Sequence, residues 1–580
     1  MHLRICLILP LLAVLIAPAA SAEVFRVGSD VHCTHATLAS ALAAADANGS
    51  GQDEIRLTVD ARPTNAVLSI TGSDVLISGG WLSCGVVNPS PTERSLIVGN
   101  GHDSVFYIGN GRTVELRQLA ITNGGRHGVV NNDFAIGGGV WLNGGVAILR
   151  GVRVMHNRAR FGGGLAVNGN SVMVIYGGTA GSEIHYNEAM LGGGIYVGER
   201  ATLRIDNDNV AVTHNSANGS TTAYENTGGG IFATGNINSA SSVEVGWLSG
   251  DPDLPMPTPR GFLLADNATT GNGGGIALHG TASLVAVEMT IRNNAATGNG
   301  GGIYLYGNAM GPGASAQMTR FLDHLPGWLK NCEGRYGCNQ ITGNVAGRGG
   351  AVMVMHGSLR LGQVLLADNR SSDGGGAAIH SGSIGPVSGI MNRIWLDSAV
   401  IAGNQCINPS AHSPCATLSL GAGPNQVHLQ HVTMADNTLA ATAAAGGPWE
   451  IYNGPTTMPL VLRSSIIEPR PGVQVLFAVN PIDADCVKAP AFTGSGTRAL
   501  TQSAPYAFIS RAHYDYRPAR PDSAIDACDT AQLLDSGLGG ADLVRHGSVD
   551  DPDMPNRLGP GARADIGAFE VTVMLRDGFE

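Results

Sequence analysis

Charge is scarce in this chain: Asp, Glu, Lys and Arg make up 14% of its 580 residues, and aromatic residues only 5%. Acidic side chains outnumber basic ones, 45 to 34, giving a formal net charge of −11 with no basic cluster. That balance argues against nucleic acid as a partner. Catalytic signatures are missing too. No Gly-x-Ser-x-Gly elbow, P-loop or His-Glu-x-x-His occurs, and no CxxC spacing offers a zinc site. Carboxylates are scattered through the middle of the chain, whereas an acid–base pair must converge on one face. The only adjacent aspartates, Asp550-Asp551 with Asp553 close by, lie near the C-terminus.

Long apolar runs are confined to the N-terminus. Arg4, the run Ile5 to Ile16 and Ala20-Ser21-Ala22 read as a secretory signal over residues 1–22, leaving a mature chain from Glu23. A retained anchor is the competing reading; the run is short and Pro10 and Pro18 interrupt it. No integral membrane span is expected after cleavage. Of the nine cysteines, Cys6 lies in the signal, and eight remain in an exported protein. Cys332 with Cys338 and Cys406 with Cys415 are spaced to close small loops. Cys33 with Cys84 and Cys486 with Cys528 are the natural remaining partners, in one connectivity among the many that eight cysteines allow.

Glycine is abundant instead: 83 residues, about twice the usual share of roughly 7%. Triplets begin at Gly137, Gly162, Gly192, Gly228, Gly273, Gly300 and Gly374, with a shortened copy at Gly349-Gly350. An apolar-x-apolar step usually follows, as in Val140-Trp141-Leu142 and Ile195-Tyr196-Val197. An asparagine usually precedes by five or six residues: Asn157, Asn187, Asn267, Asn294, Asn344 and Asn369. Before Gly228 the asparagine is Asn215, thirteen residues ahead, which implies an inserted loop. Triplet spacings run from 25 to 49 residues and fit one coil of roughly 22–25 residues with variable insertions. Such short alternations are stable only when each strand pairs with the coil above and below. Glycine provides positive φ and close approach at the corners; asparagine tolerates the left-handed region and can bond to the copy stacked on it. The pattern predicts an all-β fold, a right-handed parallel β-helix. A linker would lack the valine, isoleucine and leucine in register with the glycines. A propeller would need longer strands at an even period.

The ends differ. Residues 23–60 read as an N-terminal cap: Val24-Phe25-Arg26-Val27 as a strand, then an amphipathic helix with Leu38, Ala41, Leu42 and Ala45 on one face, stopped by Asn48-Gly49. Covering the open end of a solenoid is the role expected of that helix. The β-helix is expected over 61–480. Its inserted loops are 246–260, rich in proline, and 310–340, with a short helix from Met318 to Leu329 tied by Cys332 and Cys338. Residues 481–580 read as a C-terminal cap and tail.

The triplet coils and their asparagines resemble bacterial parallel β-helix repeat proteins of the pectin-lyase-like superfamily, and are similar to the repeats of polymorphic outer-membrane proteins. The segment from Cys33 to Ala45 looks like the leader before the first coil in such proteins. Asp522-Ser523-Ala524-Ile525-Asp526-Ala527-Cys528 and Asp565-Ile566-Gly567-Ala568-Phe569-Glu570 resemble a choice-of-anchor Q type C-terminal region, with Ser523 and Cys528 departing from its Pro and Gly. The resemblance implies the fold strongly and the chemistry poorly, because such β-helices host lyases, hydrolases and adhesins alike. The calcium cluster with an Arg or Lys base of its lyases, and the Asn-Thr-Asp, paired-Asp, Gly-His-Gly and Arg-Ile-Lys series of its hydrolases, do not occur in the coils.

Candidate site residues are correspondingly few. Just before the turn asparagine stand His156, Tyr186, His214 and Asp266 in successive copies. Coils stacked in register would make them a ladder able to contact a glycan; solvent-facing packing beside the asparagines explains the same pattern. Asp206-Asn207-Asp208-Asn209 has oxygen donors for calcium but lacks the Gly-Gly-x-Gly-x-Asp repeat, so a solvated turn is favoured and no cofactor is expected. The function expected is that of an exported surface or secreted scaffold, adhesin-like or glycan-interacting, with polysaccharide or host and cell-surface molecules as partners. The alternative is a polysaccharide lyase or glycoside hydrolase of dispersed site residues.

Overall fold

A computed structural model describes residues 22–490 apart from 50, 61–65, 126–135, 207–208, 219–225, 247–260, 308–312, 320–338, 383–390, 410–412, 422–423, 442–446, 455–457 and 480–481, with short pieces at 498–501, 508–511, 515–518, 528–529 and 563–564. The chain is a parallel β-helix. One turn shows the plan: Leu165–Tyr176 runs along a first face and, past an irregularity at Asn168/Ser171, along a second. Ser182–His185 forms the third face, and Glu188–Ala189 makes a two-residue corner before the next glycine triplet. Every strand pairs in parallel with its counterpart one turn on: Leu165 with Ile195 on the first face, Val172 with Thr202 on the second, Glu183 with Ala211 on the third. The corner pieces form their own ladder, from Glu188–Ala189 to Thr438–Leu439.

Alternation decides what faces inward. In Ile195–Val197 and Val210–Thr213, Ile195, Val197, Val210 and Val212 are buried while Tyr196, Ala211 and Thr213 are not fully so. The inward side chains form one continuous apolar column from Phe25 to Ala489. Branched aliphatics dominate it because they fit a pleated, tightly stacked interior.

The triplets serve two backbone needs. Gly162 sits at φ +65, a region that costs a side chain. A Cβ on Gly163 would lie 2.4 Å from the carbonyl oxygen of Gly193 in the next turn. The preceding asparagines form a buried column: Asn157, Asn187, Asn215, Asn267, Asn294, Asn344, Asn369, Asn404 and Asn437. In each step the backbone N–H and the side-chain Nδ2 of one asparagine donate to Oδ1 of the next, as from Asn187 to Asn215 at 3.0 Å each. Asn215 holds its place because the predicted insertion falls after the corner strand Ser216–Ala217, in a segment outside the described residues. The column outlasts the triplets. At its end Asn437 Nδ2 donates to the carboxyl of Glu450 at 3.1 Å, and Thr417 Oγ1 donates to the same oxygen at 2.6 Å. Thr417 and Glu450 stand where earlier turns have the third glycine, since Leu418 and Ile451 pair in the column that begins after each triplet.

The helix Leu38–Asn48 buries Leu38, Ala41, Leu42 and Ala45, the face expected, against the end of the apolar column. Thr37 caps it by accepting from Ser40 N, and Gly49 ends it at φ +99. The cap boundaries require correction. Val24–Val27 and Asp53–Thr58 are already rungs of the second face, in register with Val75–Trp81. At the other end Ile482–Ala489 and Arg498–Thr501 continue the stack beyond residue 480. Two short antiparallel pairs follow, Phe508–Ser510 with Asp515–Pro518 and Cys528–Asp529 with Arg563–Ala564. The helix expected from Met318 is corrected at its start: Ala314–Thr319 is a second-face strand with Ala314, Ala316 and Met318 inward. Small residues and one methionine fill that rung, so its alternation is hard to read. The rest of that segment, with Cys332 and Cys338, lies outside the described residues, as does 247–260. Cys33–Cys84 and Cys406–Cys415 are bonded, with Cα separations of 5.1 and 5.5 Å. Cys486 is disulfide-bonded, and the side chain of its expected partner Cys528 lies outside the described residues.

Candidate functional site

Between the third face and the corner a single left-handed residue turns the chain. His156, Tyr186, His214 and Asp266 occupy it at φ 53, 53, 55 and 55, so the four predicted residues do share one column. The rings of His156 and Tyr186 stack 5.5 Å apart and 6° from parallel; those of Tyr186 and His214 lie 5.0 Å apart at 33°. All four side chains are exposed, Tyr186 by 50%. Elsewhere the same position holds Asn123, Asn293, Gly343, Asp368, Gly403 and Asp436, residues that tolerate left-handed backbone. Imidazole and phenol rings gain nothing there locally, and a side chain in this region costs roughly 1–2 kcal/mol. His156 and His214 are separated by the Tyr186 rung, about 10 Å at two strand spacings, so they do not form an adjacent metal-binding pair. His185, beside Tyr186 at 5.1 Å, has its pKa lowered chiefly by burial, with Glu183 opposing.

The middle residue of the apolar-x-apolar step points away from the apolar column, and where it is aromatic it builds a second run. Tyr107 meets Trp141 at 4.8 Å and Tyr196 meets Phe232 at 5.8 Å; His279, two residues past the middle position Ala277, lies 5.7 Å from Tyr304. Phe161, between corner and triplet, reaches Tyr196 at 5.2 Å and so joins the two surfaces. Phe232 and Tyr304 are themselves buried, and His279 is desolvated enough to hold its pKa at about 4. The x of the apolar-x-apolar step was the available signal for Tyr107, Trp141, Tyr196, Phe232 and Tyr304, though not for His279.

A third feature was not anticipated. Along the outer side of the second face, Arg56, Ser78, Arg117, Arg150 and Tyr176 occupy one register position on successive turns. The first four floor a cleft of about 400 Å³, walled by Val87, Pro89 and Pro91 on one side and Gly178, Thr179 and Ala180 on the other. The Arg56 guanidinium lies 4.3 Å over the Trp81 ring and pairs with Glu54 at 2.8 Å. Glu115 pairs with both Arg117 and Arg150, the latter at 3.4 Å. Arg94 pins the walls together, donating to the carbonyls of Gly151, Ala180 and Gly181. The sequence signal was the repeated Glu-x-Arg of 54–56 and 115–117, two turns apart in one register.

For metals, the one grouping of His, Cys, Asp and Glu ligands among the described residues is Asp30 with Cys33 and Cys84, whose thiols are the disulfide. In the oxygen-rich run, Asp206 is buried at the end of a strand and Asn209 makes a left-handed turn; Asn207 and Asp208 lie outside the described residues, as do Asp550, Asp551 and Asp553. No described helix is long and apolar enough to cross a membrane. Compared with protein-family models, curated proteins and solved structures, the chain matches none.

Proposed function

We propose that this chain is an exported β-helical scaffold of the adhesin-like kind that binds glycan polymers along its flank. The observation that carries the reading is the exposed stack His156–Tyr186–His214, where rings occupy left-handed positions that the same column elsewhere fills with Asn, Asp or Gly. Exposed rings in a row about one strand spacing apart present a flat apolar strip with polar edges, suited to a repeating sugar chain. Affinity electrophoresis of the disulfide-intact chain through gels containing a panel of polysaccharides tests it. At least one polymer is expected to retard the wild type, with Tyr186→Ala abolishing the retardation at an unchanged melting temperature. Retardation by none, or equal retardation of the variant, would overturn the reading.

A second reading, a glycan-active lyase or hydrolase, draws on the cleft, which Glu54 lines with three arginines and beside which Glu115 pairs with two of them. Both carboxylates are paired to guanidinium groups, which suits a binding or structural role better than proton transfer. Release of reducing ends or unsaturated products from the same panel, lost in Glu115→Gln, would favour this alternative.

A further inference from the structure

We infer that the outer side of the first face holds a binding site for one soft monovalent metal ion, copper(I), with Met353, Met355 and His380 as its ligands around Gly382. The site shares no residue with the exposed ring column and does not depend on glycan binding.

Register is the first argument. On the side of this face away from the apolar column, Tyr304 and Tyr306 are followed one turn on by Met353 and Met355, and these by His380 and Gly382. The last four positions make a rectangle on the sheet, about 4.8 Å across the strands and about 6.6 Å along them. Gly382 leaves one corner of it without a side chain. A Cβ built there would lie 3.5 Å from Met353 Cε and 3.7 Å from His380 Nε2, so thioether and imidazole flank one hollow. Met355 pairs with Gly382 directly and closes the third side. Met353, Met355 and His380 are each at most 9% exposed, but Gly382 is half-buried, so the hollow between them opens to solvent.

Ligand chemistry is the second. A face needing only apolar cover takes aromatic or β-branched residues, as earlier turns do with Phe232 and Tyr304. Two unbranched methionines on one strand bring polarisable sulfur instead. Tyr304 Oη donates to Met355 Sδ at 3.5 Å, which holds that sulfur on the outer side. The Nδ1 of His380 is buried with no hydrogen-bond partner among the described residues and lies beside the stem of Arg348, both close to the Cβ position of Gly375. Nε2 is therefore the ring nitrogen turned toward the hollow. Thioether and imidazole together select copper(I) over hard ions such as calcium or magnesium. None of the three side chains brings a negative charge, and with the Arg348 guanidinium acting on His380 a monovalent ion suits the site better than a divalent one.

Titration of the disulfide-intact chain with copper(I), supplied under nitrogen as its acetonitrile complex against a chromophoric copper(I) chelator, tests the inference. One equivalent is expected to be retained, with sulfur and nitrogen neighbours in its X-ray absorption spectrum, and excess zinc is expected not to displace it. Met353→Leu and His380→Gln are each expected to weaken binding at least tenfold, and Met155→Leu to leave it unchanged. Gly382→Val keeps all three ligands, meets only ordinary contacts at its Cβ and fills the hollow, so the same weakening is expected. It carries the test should a ligand variant misfold. No copper(I) retained, displacement by zinc, affinity unmoved by Met353→Leu and Gly382→Val, or a loss in Met155→Leu as large as theirs, would overturn the inference.

Discussion

An asparagine in this column does three things at once, and each has a separate cost of loss. Asn294 presents Oδ1 to both the N–H and the Nδ2 of Asn267 at 3.0 Å, and its own Nδ2 donates to Asn344 Oδ1 and to Leu264 O, all with no exposure. Removing the side chain strands two buried donors on Asn267, at about 1–3 kcal/mol each. Asn294→Ala is therefore expected to lower local stability by roughly 3 kcal/mol, read as faster amide exchange of the turns around 267–299 than of distant ones. Uniform loss along the whole rod, or none, would contradict the nearest-neighbour picture. Glycine gives a matching contrast. Gly163→Ala must push a Cβ to 2.4 Å from a carbonyl, whereas Gly144, at φ +82 with nothing within 4 Å, faces only the backbone cost. The first substitution is expected to destabilise clearly more than the second by the same exchange measurement.

At the level of elements, the loop after Val75–Trp81 shows how a long excursion is held. Cys33–Cys84 closes 51 residues of sequence, and the chain-entropy model assigns such a closure about 4 kcal/mol. Because that loop leads into the cleft wall at Val87 to Pro91, the paired change Cys33→Ser/Cys84→Ser is expected to increase protease cutting within 82–92 before the rest of the rod responds. Limited proteolysis with mass mapping checks it; first cuts elsewhere would assign the disulfide another role. The elements legible in the sequence were those whose residues have one physical job. Triplets marked close approach, Leu38, Ala41, Leu42 and Ala45 marked a helix face, and the asparagines marked the corners, although the left-handed residue is the one before each asparagine and not the asparagine itself. The rung Ala314–Thr319 was opaque, because alanine, serine and glutamine carry little alternating hydropathy. The arginine cleft was opaque for a different reason. Its members are dispersed from residue 54 to 180, and insertions of unequal length hide which turns are neighbours until register is known. The column of His156, Tyr186, His214 and Asp266 was readable because each sits beside a turn asparagine that reports its register.

For the molecule as a whole, three buried ionisable groups set opposing pH dependences. His279 and His380 have pKa values pulled from 6.5 to about 4, by burial first and, at His380, by Arg348 second. The native state then binds fewer protons than the unfolded chain between about 4 and 6.5, and stability falls as pH drops through that window. A shift of this size corresponds to roughly 3 kcal/mol per histidine. Glu450 acts in the other sense. Burial lifts its carboxyl from 4.5 to about 7 against the opposing bonds from Thr417 and Asn437, so its contribution is full below 4.5 and is lost as pH rises to about 7. One glutamate partly offsets two histidines on the acid side. Glu450→Gln keeps an acceptor for Asn437 and removes the titration, so the variant should gain on wild type as pH rises, by roughly 3 kcal/mol between pH 4 and pH 8. The check is the difference in denaturation midpoint between variant and wild type at pH 4.5, 6 and 8. A difference independent of pH would show that the end of the asparagine column carries a fixed charge rather than a proton.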